Sequence, residues 1–271
     1  MADSSIFWLR VAACFYAVGL IHSMLVVLHR KHTLYPLALE AFKIGAVLHT
    51  VAIVELGIAY GHFPVDNFYE SLCFCALLIA AIYLLAEWRY KFPGTAVVIF
   101  PLVSIATLVA AMERPVGTWS DVRVRDAWLV VHIVLVLAGY AALLLAAVAS
   151  VFYLVQERRL KSKRAILPDK LPPLATIDNL ISASMGFSFV FMTVGVVFGI
   201  TWAFVESGTR WLGESKVALS FFTWALCLIM IFLRVSAGWR GRKAAWMALV
   251  VLGSGAITWA AHVGLRPVLA P

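Results

Sequence analysis

Four histidines lie in or at the mouth of long apolar runs, where an ionisable ring is expensive and therefore a functional lead. His49 falls twelve residues after Leu37, near the middle of its run, and His22 reaches a comparable depth from the other direction. Two such rings can bond to each other as a packing contact. They can equally form a bis-imidazole site, because histidine is a standard axial ligand of haem iron. His132 follows Trp128 by four residues at the start of another run, and His262 closes the last one. Both are expected on the same membrane surface, next to a loop flanked by Trp202 and Trp211. Indole rings there serve either as an interfacial belt or as an aromatic platform for a flat ligand.

Other polar groups in the runs have simpler readings. Glu40 and Lys43 are three apart and can pair on one helix face near a membrane end. Glu55 is six residues after His49, on a different face. Cys14, Cys73, Cys75 and Cys227 all sit in apolar runs and form no CxxC, so they read as small buried side chains. The chain shows no P-loop, GxSxG, HExxH or dinucleotide glycine fingerprint. Gly195 and Gly199 form a GxxxG that points to close helix packing.

The elements that must carry these residues follow from composition. Of 271 residues, 63% are apolar and 13% charged, against about 25% charged in soluble domains. The bilayer is the solvent, and about 20 apolar residues are needed to cross it as a helix. Eight runs qualify: 6–28, 37–60, 68–86, 95–112, 128–154, 181–204, 217–233 and 244–263. The expected fold class is all-α, a single polytopic transmembrane domain over 1–271. The start of the chain lacks the basic region of a cleaved signal, so the first run is expected to be a retained helix.

Lysine and arginine set the orientation. Loops after the first, third, fifth and seventh runs hold fourteen: Arg30, Lys31, Arg89, Lys91, Arg158, Arg159, Lys161, Lys163, Arg164, Lys170, Arg234, Arg240, Arg242 and Lys243. The opposite side holds six: Arg114, Arg123, Arg125, Arg210, Lys216 and Arg266. The fourteen belong in the cytoplasm, which places both termini outside. The net charge of +8 is then topogenic and suited to anionic lipid, not to nucleic acid. Trp8, Trp119, Trp128, Trp202, Trp211 and Trp259 fall toward the outer side.

Three stretches together resemble a known family. Residues 61–72 read GHFPVDNFYESL, 128–143 read WLVVHIVLVLAGYAAL, and 238–245 read GWRGRKAA, the last preceded by Asp178, Asn179, Leu180, Gly195, Gly199 and Trp202. This order is similar to the cytochrome c assembly proteins of the CcsA/ResC/CcmC type. The resemblance implies helices that hold haem, taken as haem b, near the outer face of the cell inner membrane for delivery to apocytochrome c, with a second assembly subunit as a further partner. It implies His132 as an external iron ligand, His49 as the membrane iron ligand, and Trp202 and Trp211 in the haem platform. Such work is positioning and exclusion more than enzyme chemistry.

The chain also departs from that pattern. The family loop WGxYWxWDPKE corresponds here to residues 202–216, keeping only Trp211, Glu214 and Lys216 of its core, and Val217 breaks the acid pair. The motif YLHxR is reduced to Phe232, Leu233 and Arg234, so the second membrane histidine is missing, and the C-terminal GLHSY is absent. His22 and His262 are the candidates to replace the lost ligands. The reduced pattern resembles the HemX/YpjD branch, which implies a regulatory or scaffolding role without haem transfer as the competing function. A small-molecule transporter is the third reading, weakened by the lack of an inverted repeat.

Overall fold

The structure, a computed structural model, describes residues 2–29, 33–65, 68–112, 127–162 and 172–263. Eight long helices account for nearly all of them: α1 (Ala2–His29), α2 (Tyr35–Tyr60), α3 (Phe68–Tyr90), α4 (Ala96–Met112), α5 (Ala127–Lys161), α6 (Leu174–Ser207), α7 (Ser215–Ser236) and α8 (Arg242–Val263). Among the described residues there is no strand. All eight are long and apolar enough to cross a membrane. That outcome is the one expected of a backbone in hydrocarbon, where a helix satisfies every N–H and C=O internally.

The helices run past the apolar stretches that reveal them. α5 continues to Lys161 and α6 begins at Leu174, directly after the extended Pro173. Hydropathy marks only the part of a helix in the hydrocarbon, whereas the hydrogen-bond ladder continues into the polar layer. Apolar side chains such as Val47, Ile58, Phe187 and Ile257 are exposed on these helices, as suits spans whose solvent is lipid.

The chain divides into two compact units, Met1–Arg125 and Asp126–Pro271. In the first, α1 packs on α2 and α4, and α3 on α4 and α2. Its core is aromatic. Phe42 stacks on Phe100 with centroids 4.4 Å apart, Tyr16 lies 4.9 Å from Phe42, and Tyr83 stands edge-on to both phenylalanines. Glycine makes room for these rings: a Cβ at Gly45 would fall 2.9 Å from Tyr16, and one at Gly19 2.8 Å from Phe100. Lys43 pairs with Glu40 at 2.7 Å on an exposed face, as their spacing implied.

In the second unit α5 pairs with α6 along their length, α8 lies on α5 and α7, and α7 on α6. The inner face of α5 is mostly small: Ala138, Ala141, Ala142, Ala146, Ala147 and Ala149 are all buried. Small residues let helix backbones approach, which is how spans associate when lipid removes the hydrophobic drive between them. Hydroxyls add directional bonds. Thr223 meets Ser254 at 2.6 Å and Thr258 at 2.9 Å between α7 and α8, and the Trp224 indole donates to Thr193 at 3.0 Å between α7 and α6.

One end of this unit is clamped by an ion pair. Asp178, at the start of α6, accepts from Arg234 at the end of α7 at 2.9 Å and from the Gly241 amide just before α8 at 2.8 Å. Gly241 has φ +63°, and a Cβ there would fall 2.5 Å from the Tyr153 hydroxyl of α5. Glycine is required at that position on both counts.

Candidate functional site

His132 lies in the second turn of α5, half-buried against α6. Its Nδ1 is 2.6 Å from the carbonyl oxygen of Gly195. A carbonyl can only accept, so Nδ1 carries the hydrogen, and in the neutral form of the ring the basic nitrogen is then Nε2. That is the tautomer a metal ligand needs, fixed by a backbone partner on the other nitrogen. The ring packs closely against Gly199, where a Cβ would come within 2.6 Å of Nδ1 and 2.7 Å of Cε1. The GxxxG brings the helices together as expected, a Cβ at Gly195 falling 2.9 Å from Val136 of α5, and its second glycine, Gly199, makes room for the His132 ring.

Spacing places the aromatic groups around this ring. Gly195, Gly199 and Trp202 stand at i, i+4 and i+7 on α6 and share one face. Trp128 precedes His132 by one turn on α5, and its ring packs on Phe198 with centroids 4.9 Å apart. Beyond α6 the chain turns through Gly208 (φ +63°) into a short 3₁₀ turn, Arg210–Gly213. The half-buried Trp211 indole there donates to the Gly208 carbonyl at 2.8 Å. Glu214 and Lys216 pair at 2.7 Å just after it. His132, Trp202 and Trp211 thus all belong to one end of the second unit. His262 lies in the last turn of α8, and its side chain is outside the described residues.

His49 has a different setting. It is fully buried in the first unit. Its Nε2 lies 3.1 Å from the Cys73 sulfur on α3, and its Nδ1 3.5 Å from the Tyr16 hydroxyl on α1. The ring points into the bundle and toward α1, as expected. Where the sequence suggested His22 as its neighbour, the neighbours are Tyr16 and Cys73. His22, also buried, sets its ring 5.9 Å from that of Tyr35. It lies six residues beyond Tyr16, about 9 Å along α1 by helical rise, so the two histidines are not at one level. A signal for Tyr16 was present in Gly45, one turn before His49 on the same face, since a glycine there calls for a large partner. Cys73 carried none, because a buried cysteine looks the same in sequence whether or not it meets an imidazole.

Among the described residues no three His, Cys, Asp or Glu side chains converge. A metal at this surface would have to arrive with most of its ligands, as iron in a porphyrin does, and take an imidazole as an axial addition. The His132 tautomer, with Trp202 on the adjoining helix face, suits that chemistry.

Comparison with known proteins identifies the family. Residues 65–258 match the family model described as "Cytochrome C assembly protein". Among curated relatives, the cytochrome c biogenesis protein CcsA of Prochlorococcus marinus is 26% identical over 234 residues, covering 76% of this chain and 74% of that one. The CcsA protein of a Synechococcus strain is 29% identical over 287 residues, covering 83% and 81%. That of Guillardia theta is 25% identical over 245 residues, covering 82% and 80%. The matched segment runs from the α2–α3 turn to the last part of α8 and takes in His132, Trp202 and Trp211. With eight apolar helices and a match over most of its length, the chain is a multi-pass membrane protein that belongs to the cytochrome c assembly protein family.

Proposed function

We propose that this protein holds haem at the outer surface of the cell inner membrane during maturation of c-type cytochromes, with His132 as the iron ligand. The observation that carries the reading is the seat of His132, whose Nδ1 faces the Gly195 carbonyl at 2.6 Å and whose ligating nitrogen is thereby defined. Gly199 leaves room for the ring, and Trp202, on the same face of α6, supplies a flat apolar wall on which a macrocycle can rest. Haem, when bound, supplies the vinyl groups to which the cysteines of an apocytochrome CxxCH segment add. The protein's part is to hold the ring, fix its orientation and limit water. A partner carrying the apocytochrome, and a second assembly subunit, complete the reading.

Purified protein is expected to show a Soret band, and His132→Ala to abolish or shift it. A spectrum unchanged by the substitution, with undiminished cytochrome c yield, would overturn the assignment. The second reading, a HemX-like regulator or scaffold that transfers no haem, is favoured by His49. Both of its nitrogens already face protein groups, so it can ligate iron only after one contact is released. A colourless preparation from haem-replete cells supports that reading over the first.

The fourteen-to-six loop charge asymmetry supports a topology with both termini outside. A reporter active only in the cytoplasm, fused after Pro271, is expected to be silent, while the same reporter inserted after Ser162 is expected to be active. The reverse pattern would invert the topology and put His132 on the cytoplasmic face.

A further inference from the structure

We propose that the α7–α8 end of the second unit is a binding site for an anionic phospholipid, with Arg242 and Lys243 on the headgroup and an exposed stripe of α8 along the acyl chains. Arg240, Arg242 and Lys243 are exposed, as are Arg158 and Arg159 at the end of α5. The acids at this end are already used: Asp178 holds Arg234, and Glu157 holds Lys161 at 2.7 Å. Among the described residues, the five cations pair with no carboxylate, so this end carries an uncompensated positive charge.

Charge that serves only to orient a span needs number, not geometry. These residues have geometry. The loop bearing them is tied down by the Asp178 bond to the Gly241 amide and by the close fit of Gly241 against Tyr153. Lys243 is held over the Trp239 ring, 5.3 Å from its centroid. On α8, Arg242, Trp246 and Val250 follow at i, i+4 and i+8, one column on one face. All three are exposed, Trp246 at 48% and Val250 at 52%. The column continues past Gly253, where a Cβ would meet nothing within 4 Å, to Ile257, 61% exposed.

From the helix end inward, the face thus runs cation, indole, aliphatic side chain, shallow gap, aliphatic side chain. That is the profile of an amphiphile with an anionic head and a hydrocarbon tail. A free phosphate would use only the upper part, and a soluble acidic protein would have no use for the lower.

The test is native mass spectrometry of the full chain from nanodiscs containing phosphatidylcholine and phosphatidylglycerol. The protein is expected to retain phosphatidylglycerol preferentially. Each basic residue near a headgroup contributes about fivefold, so Arg242→Gln with Lys243→Gln is expected to reduce the preference by roughly tenfold or more. That pair leaves Asp178, Arg234 and Gly241 untouched, and thermal unfolding of the variant checks the fold. Arg210→Gln, at the opposite end of the unit, is expected to leave the preference unchanged. Equal retention of the two lipids, an undiminished preference in the double variant, or an equal loss in the Arg210 variant would overturn the proposal. So would displacement of the lipid by glycerol phosphate alone, since the tail would then be irrelevant.

Discussion

Asp178→Ala is expected to lower the thermal midpoint of the detergent-solubilised protein by roughly 6–12 °C, from a loss of about 3 kcal/mol at a few degrees per kcal/mol. The cause is the number of groups that depend on one carboxylate. Both partners of the ion pair are only 13% exposed, so removing the acid leaves the Arg234 guanidinium largely out of water with no counter-charge. The Gly241 amide loses its acceptor at the same time. An unmet donor adds its own penalty.

Asp178→Asn keeps an acceptor oxygen and is expected to fall between the two. Exchanging the charges, Asp178→Arg with Arg234→Asp, is expected to recover only part of the loss, because the Gly241 amide remains without its acceptor. A scan in which Asp178→Ala unfolds at the wild-type temperature would show that the clamp contributes nothing.

Gly199→Ala adds one methyl group and is expected to cost about 1–3 kcal/mol, the usual range for overpacking. The new Cβ would sit 2.6 Å from His132 Nδ1, closer than the ring can tolerate. The ring must swing aside, and the bond to Gly195 is lost with it. Gly186, also in α6, is the matched control, since a Cβ there meets nothing within 4 Å. Gly186→Ala should behave as wild type or slightly better, because alanine is the stronger helix former.

The cause can be isolated with a double-mutant cycle. If the clash is with the imidazole, adding Gly199→Ala to His132→Ala should cost little, because the obstructing ring is already gone. Additive losses would mean that Gly199 acts on the α5–α6 spacing and not on His132. Under the proposed function, Gly199→Ala should also reduce haem occupancy in proportion to the displaced ring.

The eight spans could be read directly because bilayer thickness imposes a length and a composition on each of them. The helix ends at Lys161 and Leu174 could not, because the flanking turns are polar whether or not they are helical. For the site, residue types identified His132 and Trp202 as candidates, and the family motif ranked them. Their relation was hidden because it depends on register between α5 and α6, a property of two helices that neither sequence window contains. The pairing of His49 failed for a related reason. Equal counting from the ends of two spans assumes that helices are level, whereas the Tyr16–Gly45 fit offsets α1 from α2 and brings Tyr16, not His22, to the His49 ring.

The division of the helices into two contiguous groups also has a consequence in time. Met1–Arg125 forms a compact unit of its own, and the ribosome has synthesised all of it before it begins Asp126. At about 5–20 residues per second, Asp126–Pro271 alone takes roughly 7–30 s to synthesise. Helix association within the bilayer is far faster than that. His49 can therefore be enclosed by Tyr16 and Cys73 while the segment bearing His132 has yet to be translated. His49 and His132 thus enter their settings in sequence, the buried one first.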